Sequence, residues 1–293
     1  QFYLIYSTNK MFAVEYPVPS LTKNSTDDVI ITELSDKCCI LQQNKERVRL
    51  KIDTIGEKRW REIVFQPDPP WNIKKKPISR AYFKMWEMIQ ACVIPHYDTS
   101  VHLCEAPGGF LEACMDLFPL KTWQAYTISG TIKFNLKFNA SNIRYADVIT
   151  EQSDVINSIR TTFPNGVGFI TADGATEFDH SRLEEASTPL VVAQINIALS
   201  TLQENGSFVV KAFELCPHDS RMILARLASC FKSVCLFKPT HSRPTNSEIY
   251  IVCRKFILDQ SFTPSKKWYI TVLNTIDELC EKQSNALRDS LSK

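Results

Sequence analysis

The sequence predicts a doubly wound α/β domain whose mostly parallel sheet has seven strands, with helices on both faces. Three observations carry this expectation. From Val101 onward, short apolar runs alternate with helical patterns, the arrangement that builds βαβ units. The first of these runs passes straight into Pro107-Gly108-Gly109, and a helical pattern starts there. Polar residues such as Glu105, Asp173 and Lys211 close the apolar runs, and strand ends are the rim on which open parallel sheets hold ligands. A small N-terminal extension and a C-terminal helix flank this domain.

Up to about Pro70 the pattern reads as β-rich. Strand-like pieces fall at 1–6, 11–16, 29–34 and 38–42, followed by the alternating Arg47-Val48-Arg49-Leu50-Lys51-Ile52. Asn24-Ser25-Thr26-Asp27-Asp28 and Asp68-Pro69-Pro70 punctuate them. Helical spacing begins at 79–93. Strands are then expected at 100–105, 123–128, 142–146, 167–172, 207–213, 232–238 and 248–256. Helices fit 109–118, 151–161, 188–204 and 217–230. The helix at 188–204 takes its start from Pro189 after Ser187 and Thr188, and its end from Asn205-Gly206. Beyond the sheet, Trp268, Tyr269, Ile270, Val272, Leu273, Ile276 and Leu279 recur at helical spacing within 264–290, a helix that packs on the sheet or docks a protein partner. The chain thus divides into an accessory region 1–77, a main domain 78–256 and an extension 257–293.

Composition narrows the class. With 293 residues, 44% of them apolar, the chain can fill a large core. No apolar run reaches the roughly 20 residues of a membrane span, and no signal-peptide pattern opens the sequence, so no membrane partner is expected. It begins at Gln1, which suggests an excised domain or a processed product. The ten cysteines never form C-x-x-C, and several sit in apolar patterns. They are expected to be reduced core residues of a cytoplasmic or nuclear protein, without a metal site. The five histidines do not cluster either. A net charge of +2 does not by itself indicate nucleic acid. Yet residues 45–84 carry twelve Lys or Arg against five Asp or Glu, interleaved with Trp60, Phe65, Trp71, Tyr82 and Phe83. Such a segment suits phosphates and stacked bases, or forms a solvated surface over core aromatics.

The Pro107-Gly108-Gly109 turn carries the first chemical signal. Glycine has no Cβ, so a ligand can approach the backbone, and positive φ costs little there. The spacing departs from both G-x-G-x-x-G and G-x-x-x-x-G-K-[ST], which leaves a loop for a nucleoside without a polyphosphate, such as S-adenosylmethionine.

Five segments in order resemble the FtsJ/RrmJ-like ribose 2′-O-methyltransferases. Ser79-Arg80-Ala81-Tyr82-Phe83-Lys84 is similar to the family's first-lysine segment, and Cys104 to Phe110 to its cofactor loop. Thr171-Ala172-Asp173-Gly174 resembles the aspartate motif, and Phe208-Val209-Val210-Lys211 the second-lysine motif. Lys238-Pro239 followed by Ser242 to Val252 resembles the glutamate motif. The likeness covers about residues 78–256. It implies a Rossmann-like methyltransferase fold, S-adenosylmethionine as cofactor, and a catalytic tetrad of Lys84, Asp173, Lys211 and Glu248. It also implies cofactor contacts from Glu105, Ala106, Pro107, Gly108, Gly109, Phe110, Asp147 and Asp173, and substrate contacts from Arg80, Tyr82, Ser242, Arg243 and Asn246. Within the family, Cys104-Glu105-Ala106-Pro107-Gly108-Gly109 and Ser242-Arg243-Pro244-Thr245-Asn246-Ser247-Glu248 are most similar to the branch acting on mRNA caps, of the cellular cap-2 type and of cytoplasmic DNA viruses. That implies capped RNA as the partner. Two departures stand out: Glu105 replaces a small residue of the bacterial relatives, and Thr127-Ile128-Ser129 lacks the acid that many methyltransferases use for the cofactor ribose.

Chemistry gives these residues work. Methyl transfer from a sulfonium to a ribose hydroxyl is an in-line displacement, so alignment is much of what a protein can supply. The hydroxyl must be polarised or deprotonated, and Lys211 is the expected base. Partial desolvation and the neighbouring Lys84 would lower its pKa, Asp173 would hold the amine and balance the sulfonium, and Glu248 would orient Lys84 or the ribose. The competing readings are a 2′-O-methyltransferase for ribosomal or transfer RNA, a methyltransferase acting on small molecules or proteins, and a non-catalytic RNA-binding domain.

Overall fold

Nine strands share one sheet in the computed structural model, which describes residues 2–6, 12–14, 36–64, 76–130, 133–135, 137–175, 183–216, 218–258 and 266–293. Along the chain, β1 (Phe2–Tyr6) and β2 (Phe12–Val14) precede α1 (Asp36–Ile55), α2 (Glu57–Ile63) and α3 (Ala81–Ala91). Then follow β3 (Thr99–Leu103), α4 (Gly109–Leu117), β4 (Thr122–Thr127), β5 (Ile143–Tyr145), α5 (Gln152–Thr162) and β6 (Val167–Ala172). The last elements are α6 (Leu183–Thr201), β7 (Leu202–Phe213), α7 (His218–Cys230), β8 (Phe231–Lys238), β9 (Glu248–Phe256) and α8 (Lys266–Leu291).

The sheet order is β2-β1-β8-β9-β7-β6-β3-β4-β5. All seven expected strands are present as β3 to β9, but the sheet is mixed. β9 runs antiparallel to both β7 and β8, and β2 antiparallel to β1. The strand order reverses between β3 and β6, whose partners β4 and β7 lie on opposite sides, and that is where such folds open a crevice.

Alternate residues of each strand feed two cores, as the period of two requires. Val101, Leu103, Ile170, Phe208, Val210 and Ile251 face the layer that includes α5 to α8. Phe169, Val209, Tyr250 and Val252 face α3 and α4, meeting Met85, Met88, Phe110 and Cys114. Among the described residues, no helix is long and apolar enough to cross a membrane.

The β-rich reading of the N-terminal extension is corrected over 36–63, where the chain is helical. Cys38, Leu41, Asn44 and Val48 are the buried residues of α1, spaced by three and four, and that stripe packs on α8, where Asn44 donates to Ser284. The alternation at 47–52 was incidental, since Leu50 is 59% exposed while Val48 is buried. Strands at 1–6 and 11–16 are matched by β1 and β2; the expected strand at 29–34 lies outside the described residues. α6 begins before Pro189, which sits inside the helix rather than at its start. The C-terminal helix packs against α1 and contributes Val272, Ile276, Leu279, Cys280 and Leu287 to the larger core.

Candidate active site

Strand register brings the tetrad together. Lys211 on β7 pairs with Tyr250 on β9, and Phe213 with Glu248, so the period of two puts Lys211, Tyr250 and Glu248 on the face that α3 covers. Asp173 follows β6 directly and receives the Lys211 ammonium twice. Lys211 Nζ donates to the Asp173 main-chain carbonyl at 2.8 Å and lies 3.1 Å from Asp173 Oδ1. Lys84 reaches down from α3 and donates to Glu248 Oε1 at 2.6 Å, with its Nζ 6.0 Å from the centre of the Tyr250 ring. Four ionisable residues from three strand ends and one helix thus form a connected cluster.

Tyr250 joins its two halves. Its hydroxyl donates to Asp173 Oδ1 at 2.9 Å. Burial first, then the charges of Asp173 and Glu248, push its phenol well above the ordinary value, so it stays a donor. Glu248 is buried, which alone would raise its pKa, but the Lys84 and Lys211 charges outweigh this and hold it down at about 2. For Lys211, burial pulls the pKa down, and the charges of Asp173 and Glu248 more than reverse this, leaving it raised. The expectation of a lowered lysine is therefore overturned for this arrangement: Lys84 is spent on Glu248, and Asp173 sits too close.

Of the residues expected at the substrate, Arg243 and Asn246 line a groove of about 460 Å³ that runs from Lys211 and Glu248 to Lys45, Trp60 and Arg61 on the N-terminal helices. Ser242 is buried and donates to Glu248 Oε1 at 2.5 Å, so it holds the acid. Arg80 donates to the His241 carbonyl at 2.7 Å, which braces the β8–β9 connection. Tyr82 needs correction. It is 3% exposed and its hydroxyl donates to Asp116 at 3.0 Å, because its place on α3 aims it at α4 and away from the groove. Burial, then Asp116, raises its pKa. Of the basic and aromatic segment, Tyr82 belongs to the core and Phe83 stacks on His241, while Trp60 packs on the core and shows an edge to the groove beside Lys45 and Arg61; Phe65 and Trp71 lie outside the described residues.

The cofactor loop is shaped by packing. Gly108 has φ +111°, and a Cβ there would lie 2.4 Å from the Phe138 ring. A Cβ on Gly109 would meet Ser79 Oγ at 2.2 Å and the Tyr82 main-chain nitrogen at 3.0 Å. The glycines thus let the rings of 134–138 and the start of α3 close onto the turn. Glu105 is buried, which raises its pKa well above the ordinary range, and it accepts from the Leu111 N–H at 2.8 Å at the N-terminus of α4. Asp147, past β5, accepts from the Ile149 N–H at 2.9 Å. Burial chiefly, with Asp173 and Asp147 adding their charge, pushes the Cys104 thiol up to about 11. Glu105, Asp147 and Asp173 are acceptors whose chemistry suits a ligand with an amine, a sulfonium and ribose hydroxyls.

Three contributors were not anticipated. Tyr250 lies within the glutamate motif, and its position two residues past Glu248 places both on one face. Glu87, one helical turn after Lys84, accepts from Thr240 N–H at 3.0 Å and Thr240 Oγ1 at 2.9 Å. It fixes the loop that carries Ser242. Glu112 accepts from Ile78 N–H at 2.7 Å and from Lys137 Nζ at 2.6 Å, tying both flanks to the cofactor turn.

The profile of the FtsJ-like methyltransferases matches residues 77–256. Cap-specific mRNA (nucleoside-2'-O-)-methyltransferase 1 of Drosophila melanogaster is 33% identical over 171 residues, covering 52% of this chain and 21% of that protein. Cap-specific mRNA (nucleoside-2'-O-)-methyltransferase 2 of Danio rerio is 30% identical, covering 56% of this chain and 25% of that protein. The Drosophila methyltransferase 2 is 25% identical, covering 76% of this chain and 37% of that protein. The chain spans between a fifth and two fifths of the length of these relatives.

Proposed function

The chain belongs to the FtsJ-like methyltransferase family, and from that premise we propose that it methylates the ribose 2′-hydroxyl of RNA at a 5′-terminal nucleotide of a capped messenger. The observation that carries this reading is the convergence of Lys84, Asp173, Lys211 and Glu248 within hydrogen-bonding reach at one strand rim. The family's methyl donor, S-adenosylmethionine, supplies an electrophilic methyl on a sulfonium when bound. Its contacts in this reading are the 105–110 turn, Asp147 and Asp173.

The chain's own residues supply alignment and proton control. Lys211 Nζ faces the groove and can hydrogen-bond a ribose oxygen, fixing it for in-line attack. Asp173 is shared between partners. Any cation it comes to face weakens the field that keeps Lys211 protonated, so Lys211 Nζ can release its proton and take that of the hydroxyl. Lys84 and Ser242 hold Glu248, and Tyr250 holds Asp173, so none of these groups must reorganise during the step.

Capped RNA as substrate is favoured by the names of the relatives and by the groove. Trp60, 8% exposed, lines its far end beside the Glu57–Arg61 ion pair, an aromatic edge that suits a purine, while Arg243 on the near side suits a phosphate. In this reading residues 78–256 are the catalytic unit, 1–77 and 257–293 are accessory, and the protein works in the cytoplasm or nucleus. Incubation with labelled S-adenosylmethionine and RNAs of one sequence, uncapped, cap-0 or cap-1, followed by nuclease mapping, tests it. Label is expected on a 5′-terminal ribose of capped RNA only. Equal labelling of uncapped RNA would move the substrate to ribosomal or transfer RNA.

A further inference from the structure

Three thiols from distant parts of the chain meet where both extensions join the catalytic domain. Cys38 lies in the first turn of α1, Cys280 midway along α8, and Cys216 three residues past the end of β7. Cys216 Sγ is 3.4 Å from Cys280 Sγ, Cys38 Sγ is 3.6 Å from Cys280 Sγ, and all three sulfurs lie within 4.8 Å of one another. All three residues are buried. The separations are too long for a disulfide, at about 2.05 Å. The two contacts of Cys280 lie just below the sulfur–sulfur spacing of about 3.8 Å that a tetrahedral zinc site with Zn–S near 2.3 Å requires, within a small shift of it.

Two further observations set this cluster apart from an ordinary pair of touching core thiols, such as Cys92 and Cys235 at 3.9 Å. It opens on a cavity of about 220 Å³ whose walls include Cys280, Glu214 and Lys238. The Glu214 carboxylate is buried there and paired at 2.5 Å with Lys45 of α1. The backbone is also bent toward it. Glu214 and Leu215 have φ of +21° and +62°, two successive non-glycine residues in the left-handed region, and this turn leads Cys216 in beneath α1 and α8. Such conformations persist where the surroundings enforce them, and they gather at functional sites.

We propose that Cys38, Cys216 and Cys280 bind one thiophilic divalent cation of the zinc class, with its fourth position facing the cavity that Glu214 lines. Each thiol gives its proton to solvent as its metal–sulfur bond forms, so three protons leave per ion bound. Three thiolates around a divalent cation carry one net negative charge, and Lys238 in the cavity wall offsets it. The ion joins α1 and α8 to Cys216, five residues beyond Lys211, and so fixes both extensions to the strand that carries the amine. Sequence spacing hides the site because Cys280 is 242 residues from Cys38 and 64 from Cys216.

The test is metal analysis of the full chain, kept under a non-thiol reductant and passed through gel filtration after expression with added zinc. One zinc per chain is expected. Cys216→Ser and Cys280→Ser should each lower this roughly tenfold or more, while Cys39→Ser and Cys92→Ser retain it. Chelator-stripped wild-type chain should also develop a near-ultraviolet thiolate-to-cobalt charge-transfer band on adding cobalt(II). That second reading decides the matter on the unmutated protein if a serine variant fails to fold. Wild-type protein with all thiols reduced that holds no stoichiometric zinc and shows no cobalt band would overturn the site, as would full zinc retention in Cys216→Ser.

Discussion

Lys211 binds Asp173 through both its main chain and its side chain, 2.8 Å from the carbonyl and 3.1 Å from the carboxylate. The double contact fixes where the amine sits and keeps it charged, so in the proposed reaction Lys211 anchors the acceptor oxygen first and acts as a base only then. Lys211→Ala should reduce methyl transfer by about 10²- to 10⁴-fold, the usual worth of a positioned acid or base. Calorimetric affinity for S-adenosylmethionine should stay near wild type. Lys211→Arg keeps the charge but cannot release it, and is expected to be equally inactive. Near wild-type transfer in Lys211→Ala, on capped RNA with labelled cofactor, would take Lys211 out of the mechanism, and the same result in Lys211→Arg would remove its role as a base.

Glu248 makes stability depend on acid pH. Its folded-state pKa of about 2 lies below the ordinary 4.5, because Lys84 and Lys211 outweigh the penalty of burial. A depressed carboxylate contributes stability that is fully present above its unfolded pKa and disappears as pH falls through its folded pKa. Thermal unfolding followed from pH 5 to pH 2 should therefore show a loss of stability in the wild type that is shallower in Glu248→Gln. Parallel curves for the two proteins would mean that the Lys84–Glu248 pair is not formed in solution.

Tyr250→Phe isolates one hydrogen bond. The ring stays packed against Phe110, with centroids 5.8 Å apart, while the donor to Asp173 Oδ1 is lost. Hydrogen bonds to charged groups are worth about 1.5–3 kcal/mol, which corresponds to roughly ten- to hundredfold in rate if the bond holds Asp173 during transfer. The loss should fall on kcat with KM for RNA little changed, because the buried Tyr250 acts through Asp173. An unchanged kcat would mean that Lys211 alone suffices to hold Asp173.

The sheet and the tetrad were legible because both are written locally. β3, β6 and β7 carry apolar runs that stop at a polar residue and β9 opens on one, and Lys84, Asp173, Lys211 and Glu248 each sit in a short motif. What the chain hides is set by partners far away. The side chain of Tyr82 is committed by Asp116 on another helix, and Lys84 by Glu248 at the start of β9, 164 residues on. The charge state of Lys211 depends on how close Asp173 comes, a distance that no spacing along the chain encodes. The role of the two glycines followed the same rule: their missing Cβ atoms make room for Phe138, Phe134 and the start of α3, all supplied from elsewhere.

The N-terminal extension gives the sharpest contrast between local pattern and tertiary environment, and two truncations separate the readings. As a strand, residues 47–52 would turn Val48, Leu50 and Ile52 to one buried face. As the helix α1, the buried stripe is Cys38, Leu41, Asn44 and Val48, packed on α8, and Leu50 points to solvent. Leu41 is fully buried, so Leu41→Ala should cost about 2–5 kcal/mol in denaturant unfolding, the range for emptying a packed core position. Leu50→Ala removes a side chain that is already 59% exposed and should change stability by no more than about 0.5 kcal/mol. A large loss from Leu50→Ala with a small one from Leu41→Ala would restore the strand. The expected order instead makes α1 part of the catalytic domain's own core, since Leu41 belongs to the same buried cluster as Ile170, Val210 and Ile251, the strand residues behind the tetrad.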